Sequence, residues 1–144
     1  MSDEEVQALV ARGVLRRVQP DGEAARRELA TAERHLATAA RIADDDEIAA
    51  LAVAYEAARK AIASHMRANG LRIGGGEGAH ARIGAYALAA FDDPILAENF
   101  HAFDRVRQLR NRSQYDAFSV EEADVVFALE QARAIVAAVE ADLE

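Results

Sequence analysis

Apolar residues recur along this chain at steps of three and four, the spacing that puts them on one face of a helix. Leu29, Ala32, Leu36, Ala39 and Ala43 form one such stripe within residues 21–43. Ile48, Leu51, Tyr55, Ala58, Ile62 and Met66 form a second, and it stops at Asn69-Gly70, a pair suited to a helix C-terminus. A third, shorter helix is predicted over 79–91. Asp92-Asp93-Pro94 then interrupts the chain and opens a fourth, because proline suits the first helical turn. Its apolar side is Leu96, Phe100, Phe103, Val106 and Leu109, and it runs to about Tyr115. Ser119 with Glu122 reads as a capping box before a fifth helix. There Val125, Leu129, Ala132, Val136, Val139 and Leu143 make a continuous seam that must pack on other helices, in this chain or in a second copy. The connectors are short, so neighbouring helices should be antiparallel. The expected fold is all-α, an antiparallel up-and-down bundle of about five helices over 21–144. Residues 1–20 are expected to add a short helix and a linker, with Ser2 as its N-cap.

Composition refines this picture. The 144 residues fit one domain, and 51% of them are hydrophobic, enough for a real core. Alanine makes up about a quarter of the chain, which favours helix and close helix–helix approach. The formal net charge of −8 opposes non-specific binding of nucleic acid and leaves room only for a local basic site. The absence of cysteine removes disulfides, thiol chemistry and Cys-ligated zinc. Residues 1–10 are acidic and lack the apolar stretch of a secretory signal, and no apolar run is long enough for a membrane span, so a cytoplasmic location is expected.

Two short motifs invite functional readings that fail. Asp44-Asp45-Asp46-Glu47 lacks the glycine and the spaced ligands of a calcium loop; acidic groups there complement the positive end of the following helix. Gly74-Gly75-Gly76-Glu77-Gly78 follows a helix, not a strand, and no Lys-Ser/Thr pair comes after it. It reads as a flexible connector, not a phosphate-binding loop. No two histidines have metal-ligand spacing on one helix. No metal and no cofactor are expected.

The unusual stretch is the end of the fourth helix, where Arg105, Arg107, Arg110 and Arg112 crowd into an otherwise acidic protein. Arg107 and Arg110 are three apart and share a face, as do Asn111 and Tyr115, four apart. Arg110 lies two turns from Phe103, near the core-facing side, where a guanidinium needs an acceptor. One outcome is pairing with Asp104, Asp116 or Glu121; the other is an anion site in which arginine forks hold a phosphate. Among the histidines, His80 could approach this cleft from the start of the third helix. His101 lies on the opposite side of its helix, and His35 and His65 read as surface or edge residues.

Arg110-Asn111-Arg112-Ser113-Gln114-Tyr115, with the helix count and the Tyr55-Glu56-Ala57-Ala58-Arg59-Lys60 stretch on the second long helix, resembles the HEPN superfamily of small helical bundles, in a bacterial branch with Tyr in place of the motif's His. The family motif is Arg, a polar residue, then His five places after the Arg. The resemblance implies a homodimer whose facing motifs bind RNA or nucleotide phosphates. In many members it also implies metal-independent ribonuclease activity of toxin–antitoxin type. It assigns Arg110, Asn111 and Tyr115 to the catalytic positions and Arg107, Arg112 and His80 to phosphate or RNA binding. Other members dock a nucleotidyltransferase or antitoxin partner without catalysis, which is the alternative reading. This sequence departs from the motif at Tyr115: a phenol with a pKa near 10 is a poor base at neutral pH, though it can donate a hydrogen bond to phosphate.

Overall fold

The structure, a computed structural model, describes residues 3–74, 78–115 and 120–143, without the side chains of Gln114 and Tyr115. The chain runs α1 (Asp3–Ala11), β1 (Leu15–Arg17), α2 (Gly22–Ile42), α3 (Glu47–Ala68), β2 (Leu71–Ile73), α4 (Ala79–Ala90), α5 (Pro94–Tyr115) and α6 (Glu122–Asp142). Helices pack antiparallel, as the short connectors require. The Asp21 carboxylate accepts the Ala24 N–H at 2.9 Å to start α2, and Asp46 accepts the Ala49 N–H at 3.0 Å to start α3. Among the described residues no helix is long and apolar enough to cross a membrane.

The packing is organised around α3, which touches α2, α4, α5 and α6. Its neighbour α2 buries only Ala25, Ala32 and Ala39, spaced seven apart. On α3, Ala50, Ala54, Ala57, Ala58 and Ala61 are buried as well. Small side chains on both sides let the two backbones approach closely, which is the structural use of the alanine content. The α6 seam is consumed within the chain: Val125, Leu129, Ala132, Val136 and Val139 are all buried in its own core. Val6 and Leu9 of α1 and Leu15 of β1 join the same core.

Several elements differ from the sequence reading. Residues 15–17 and 71–73, expected as linker and loop, form a two-stranded antiparallel ribbon with Leu15 opposite Ile73 and Arg17 opposite Leu71. Such strands are too short to show a periodicity of their own, and each exists only because the α2–α3 pair returns the chain to the other. Gly70 makes the return. Its φ of 67° is left-handed, and an added Cβ would lie 2.7 Å from the Val18 carbonyl oxygen. The cap of α6 is Glu121, whose box partner is Asp124; Glu122 is already the first helical residue, so it cannot close a box with Ser119, which lies outside the described residues. Ile48 stands 45% exposed, since the apolar face of α3 begins a turn later at Ala50 and Leu51. The glycine loop, expected to follow a helix, follows strand β2 instead, and it falls partly outside the described residues, at 75–77.

Candidate functional site

The end of α5 comes to rest against the middle of α3, and the contact is made by Tyr55. This residue lies on the apolar stripe of α3 and is fully buried. Its ring stacks on Phe103 of α5, with centroids 5.0 Å apart and planes 14° from parallel. Two turns further along α5, the Arg110 guanidinium carbon sits 5.3 Å from the centroid of the same ring. A cation over an aromatic face is attracted by the ring quadrupole, so Tyr55 positions Arg110 without neutralising it.

Arg110 is not paired with a carboxylate among the described residues. Its Nη1 donates to the Asn111 side-chain oxygen at 3.2 Å, and its Nε is buried with no hydrogen-bond partner. That leaves the guanidinium under-satisfied, an arrangement that costs free energy unless an acceptor arrives. Arg107, a turn earlier, donates to Asp104 at 2.8 Å. Arg59, a turn beyond Tyr55 on α3, is held bidentately by Glu56, at 2.7 and 2.9 Å. Arg105 turns away, stacking over Phe127 of α6 at 4.8 Å. Arg112 is exposed, and Tyr115 falls within α5 with its side chain outside the described residues.

His80, in the first turn of α4, completes the cluster. Its Nδ1 is hydrogen-bonded to the Tyr55 hydroxyl. Burial, followed by the charges of Arg110, Arg59 and Arg107, holds its pKa below the ordinary histidine value. The Tyr55 hydroxyl feels the same three arginines, yet burial dominates and pushes its pKa up to about 12. The phenol therefore keeps its proton at neutral pH. When it donates that proton to Nδ1, the Nε2–H of His80 is left to donate to an anion. The site thus gathers three guanidinium groups, an imidazole and an amide, with Glu56 and Asp104 orienting two of the arginines.

The structure brings Arg107, Arg110, Asn111 and His80 together, while Arg112 is exposed. His101 is exposed, and His35 lies on α2, which supplies nothing to this cluster. Tyr55 and Arg59 were not singled out as site residues. Their spacing of four, with a cation on an alanine-lined helix face, is the signal that marks them.

His65 is the histidine the sequence reading misplaced. It is fully buried, not at a surface or edge. One ring nitrogen, Nδ1, lies 2.6 Å from the Tyr86 hydroxyl, and Nε2 is bonded to the Asp142 carboxylate. Burial outweighs the Asp142 carboxylate and holds its pKa below the usual histidine value. Neutral His65 thus accepts from Tyr86 and donates to Asp142, tying α4 and the end of α6 to α3. Among the described residues no three His, Asp or Glu side chains gather in a way that would hold a metal ion. Comparison of the chain with protein-family models, with curated proteins and with solved structures found no match.

Proposed function

We propose that this chain is a HEPN-like module that binds the phosphate groups of RNA or of a nucleotide at the Arg110 cluster. The observation that carries the reading is the Arg110 guanidinium, fixed over Tyr55 with a buried Nε that has no acceptor. Arg107 and Arg59 are each paired with a carboxylate, whereas Arg110 has no such partner among the described residues. A phosphate oxygen supplies the missing acceptor, and Nε2–H of His80 supplies a second donor to it. Arg59 and Arg107 raise the local potential in a protein whose overall charge is negative. Asn111 holds one edge of the Arg110 fork. The resemblance adds a second copy facing the same groove, with Tyr115 near the bound chain.

The test is fluorescence anisotropy with a short labelled single-stranded RNA, comparing the wild type with Arg110→Ala, His80→Ala and a control, Arg12→Ala, in the turn after α1. Three engaged arginines give a salt dependence, log K against log [salt], with slope about −2. Arg110→Ala should weaken binding about tenfold or more and flatten the slope by about 0.7, while Arg12→Ala leaves both unchanged. Binding should tighten as pH falls through the depressed His80 pKa, because the added proton puts a fourth cation beside the phosphate; His80→Ala removes that dependence. No RNA binding by the wild type, or equal binding by Arg110→Ala, refutes the proposal. Metal-free cleavage of the RNA that disappears in both site variants identifies a ribonuclease, and RNA left intact identifies a binding module.

A further inference from the structure

A cavity of about 610 Å³ opens one helical turn from the Arg110 cluster, within the ~300–1,000 Å³ span of small-molecule sites. It lies between the β1–β2 ribbon, the start of α2, the second half of α3 and the start of α4. Met66, Leu71 and Ile83 give it an apolar floor, while Gln19 and Arg72 stand at its rim. Arg59 belongs to both places. It lines this cavity, and its charge acts on Tyr55 and His80 in the cluster. Tyr55, Arg59, Ala63 and Met66 fall at steps of four, four and three on one face of α3, so a single stripe runs from the cluster into the cavity. The step from Tyr55 to Arg59 is about 6 Å along the helix axis, the scale of a ribose.

The geometry points to a nucleobase subsite: the cavity takes the base of a nucleotide whose phosphate lies on Arg110 and His80. This rests on the phosphate reading above and adds to it what occupies the neighbouring space. A base is flat and apolar on its faces, which suits Met66, Leu71 and Ile83, and polar at its edge, where the Gln19 amide offers both a donor and an acceptor. Arg59 holds the junction, because Glu56 engages its Nε and Nη2 and leaves Nη1 without a partner among the described residues.

Met66 supplies a probe inside the cavity, since Met1 is the only other methionine in the chain. With [¹³C]methyl-methionine, adenosine 5′-monophosphate should shift the Met66 signal and leave Met1 in place, while ribose 5-phosphate should bind about tenfold more weakly and leave Met66 nearly still. Ala63→Phe, which fills the cavity, should abolish the tenfold advantage without changing ribose 5-phosphate binding. Gln19→Ala alters only an exposed side chain, so it folds in any case, and it should reduce that advantage several-fold. Arg110→Ala should weaken both ligands. Equal affinity for the two ligands with an unmoved Met66 overturns the base subsite and leaves the phosphate reading standing. Adenosine 5′-monophosphate binding that survives Arg110→Ala overturns both, because the phosphate is then not where the inference requires it.

Discussion

Replacing Tyr55 by Phe and by Leu separates the two jobs assigned to this side chain. The Phe variant keeps the buried ring, its stack on Phe103 and the face beneath Arg110, and loses only the hydroxyl bonded to His80. A neutral hydrogen bond contributes about 1 kcal/mol net, and His80, half-buried at the rim, can replace its lost partner with water. The expected loss is about 1 kcal/mol, or about 3 °C in Tm for a chain of this size. The Leu variant loses that bond together with an aromatic pair at about 1 kcal/mol and a cation–π contact at about 1 kcal/mol, so the total is about 3 kcal/mol. Urea unfolding measures both. RNA anisotropy gives the functional half: Tyr55→Phe should retain binding to within about tenfold, whereas Tyr55→Leu, in which Arg110 has no platform, should approach Arg110→Ala. Equal destabilisation by the two variants would show that the hydroxyl and not the ring carries the site. Wild-type RNA binding by Tyr55→Leu would show that the ring does not position Arg110, and the reasoning would fail.

Gly70→Ala should destabilise by about 2 kcal/mol or more, read as a drop in urea midpoint, because φ is left-handed and the new Cβ would meet Val18 and Pro20 at 2.7 and 2.8 Å; a loss below about 0.5 kcal/mol would contradict that geometry. Stability should also depend on the protonation of His65. Its folded pKa lies below the unfolded value of 6.5, so the unfolded chain binds more protons in the interval between them. Stability is then full above pH 6.5 and falls as the solution is acidified toward the folded pKa. Urea midpoints at neutral and mildly acid pH should show a smaller acid loss in His65→Asn than in the wild type, and an unchanged loss would remove His65 from the account. His80, also depressed, contributes in the same direction and accounts for part of the slope that persists.

The amino-acid pattern alone determined where the long helices lie and where most of them begin and end, though it misplaced the cap of α6. Asp21 and Asp46 cap the helices that the apolar stripes predict, Asn69-Gly70 ends the one and Pro94 opens another, since caps and stripes are matters of residues three or four apart. It also located the arginine-rich end of α5. The β1–β2 ribbon, the burial of His65 and the meeting of His80 with Arg110 were decided only by the tertiary fold. Strands of three residues carry too little pattern to be read locally, and each is defined by a partner on the far side of the α2–α3 pair. His65 sits beside Ile62 and Met66 at helical spacing, yet a histidine is tolerated inside only when its two nitrogens find partners. Those partners, Tyr86 and Asp142, arrive from α4 and α6. Likewise Tyr55 reads as one more apolar position on α3. Only the packing of α4 and α5 against it reveals a ring with a histidine at its hydroxyl and a guanidinium on its face, because contacts between elements distant in sequence leave no periodic trace in the chain.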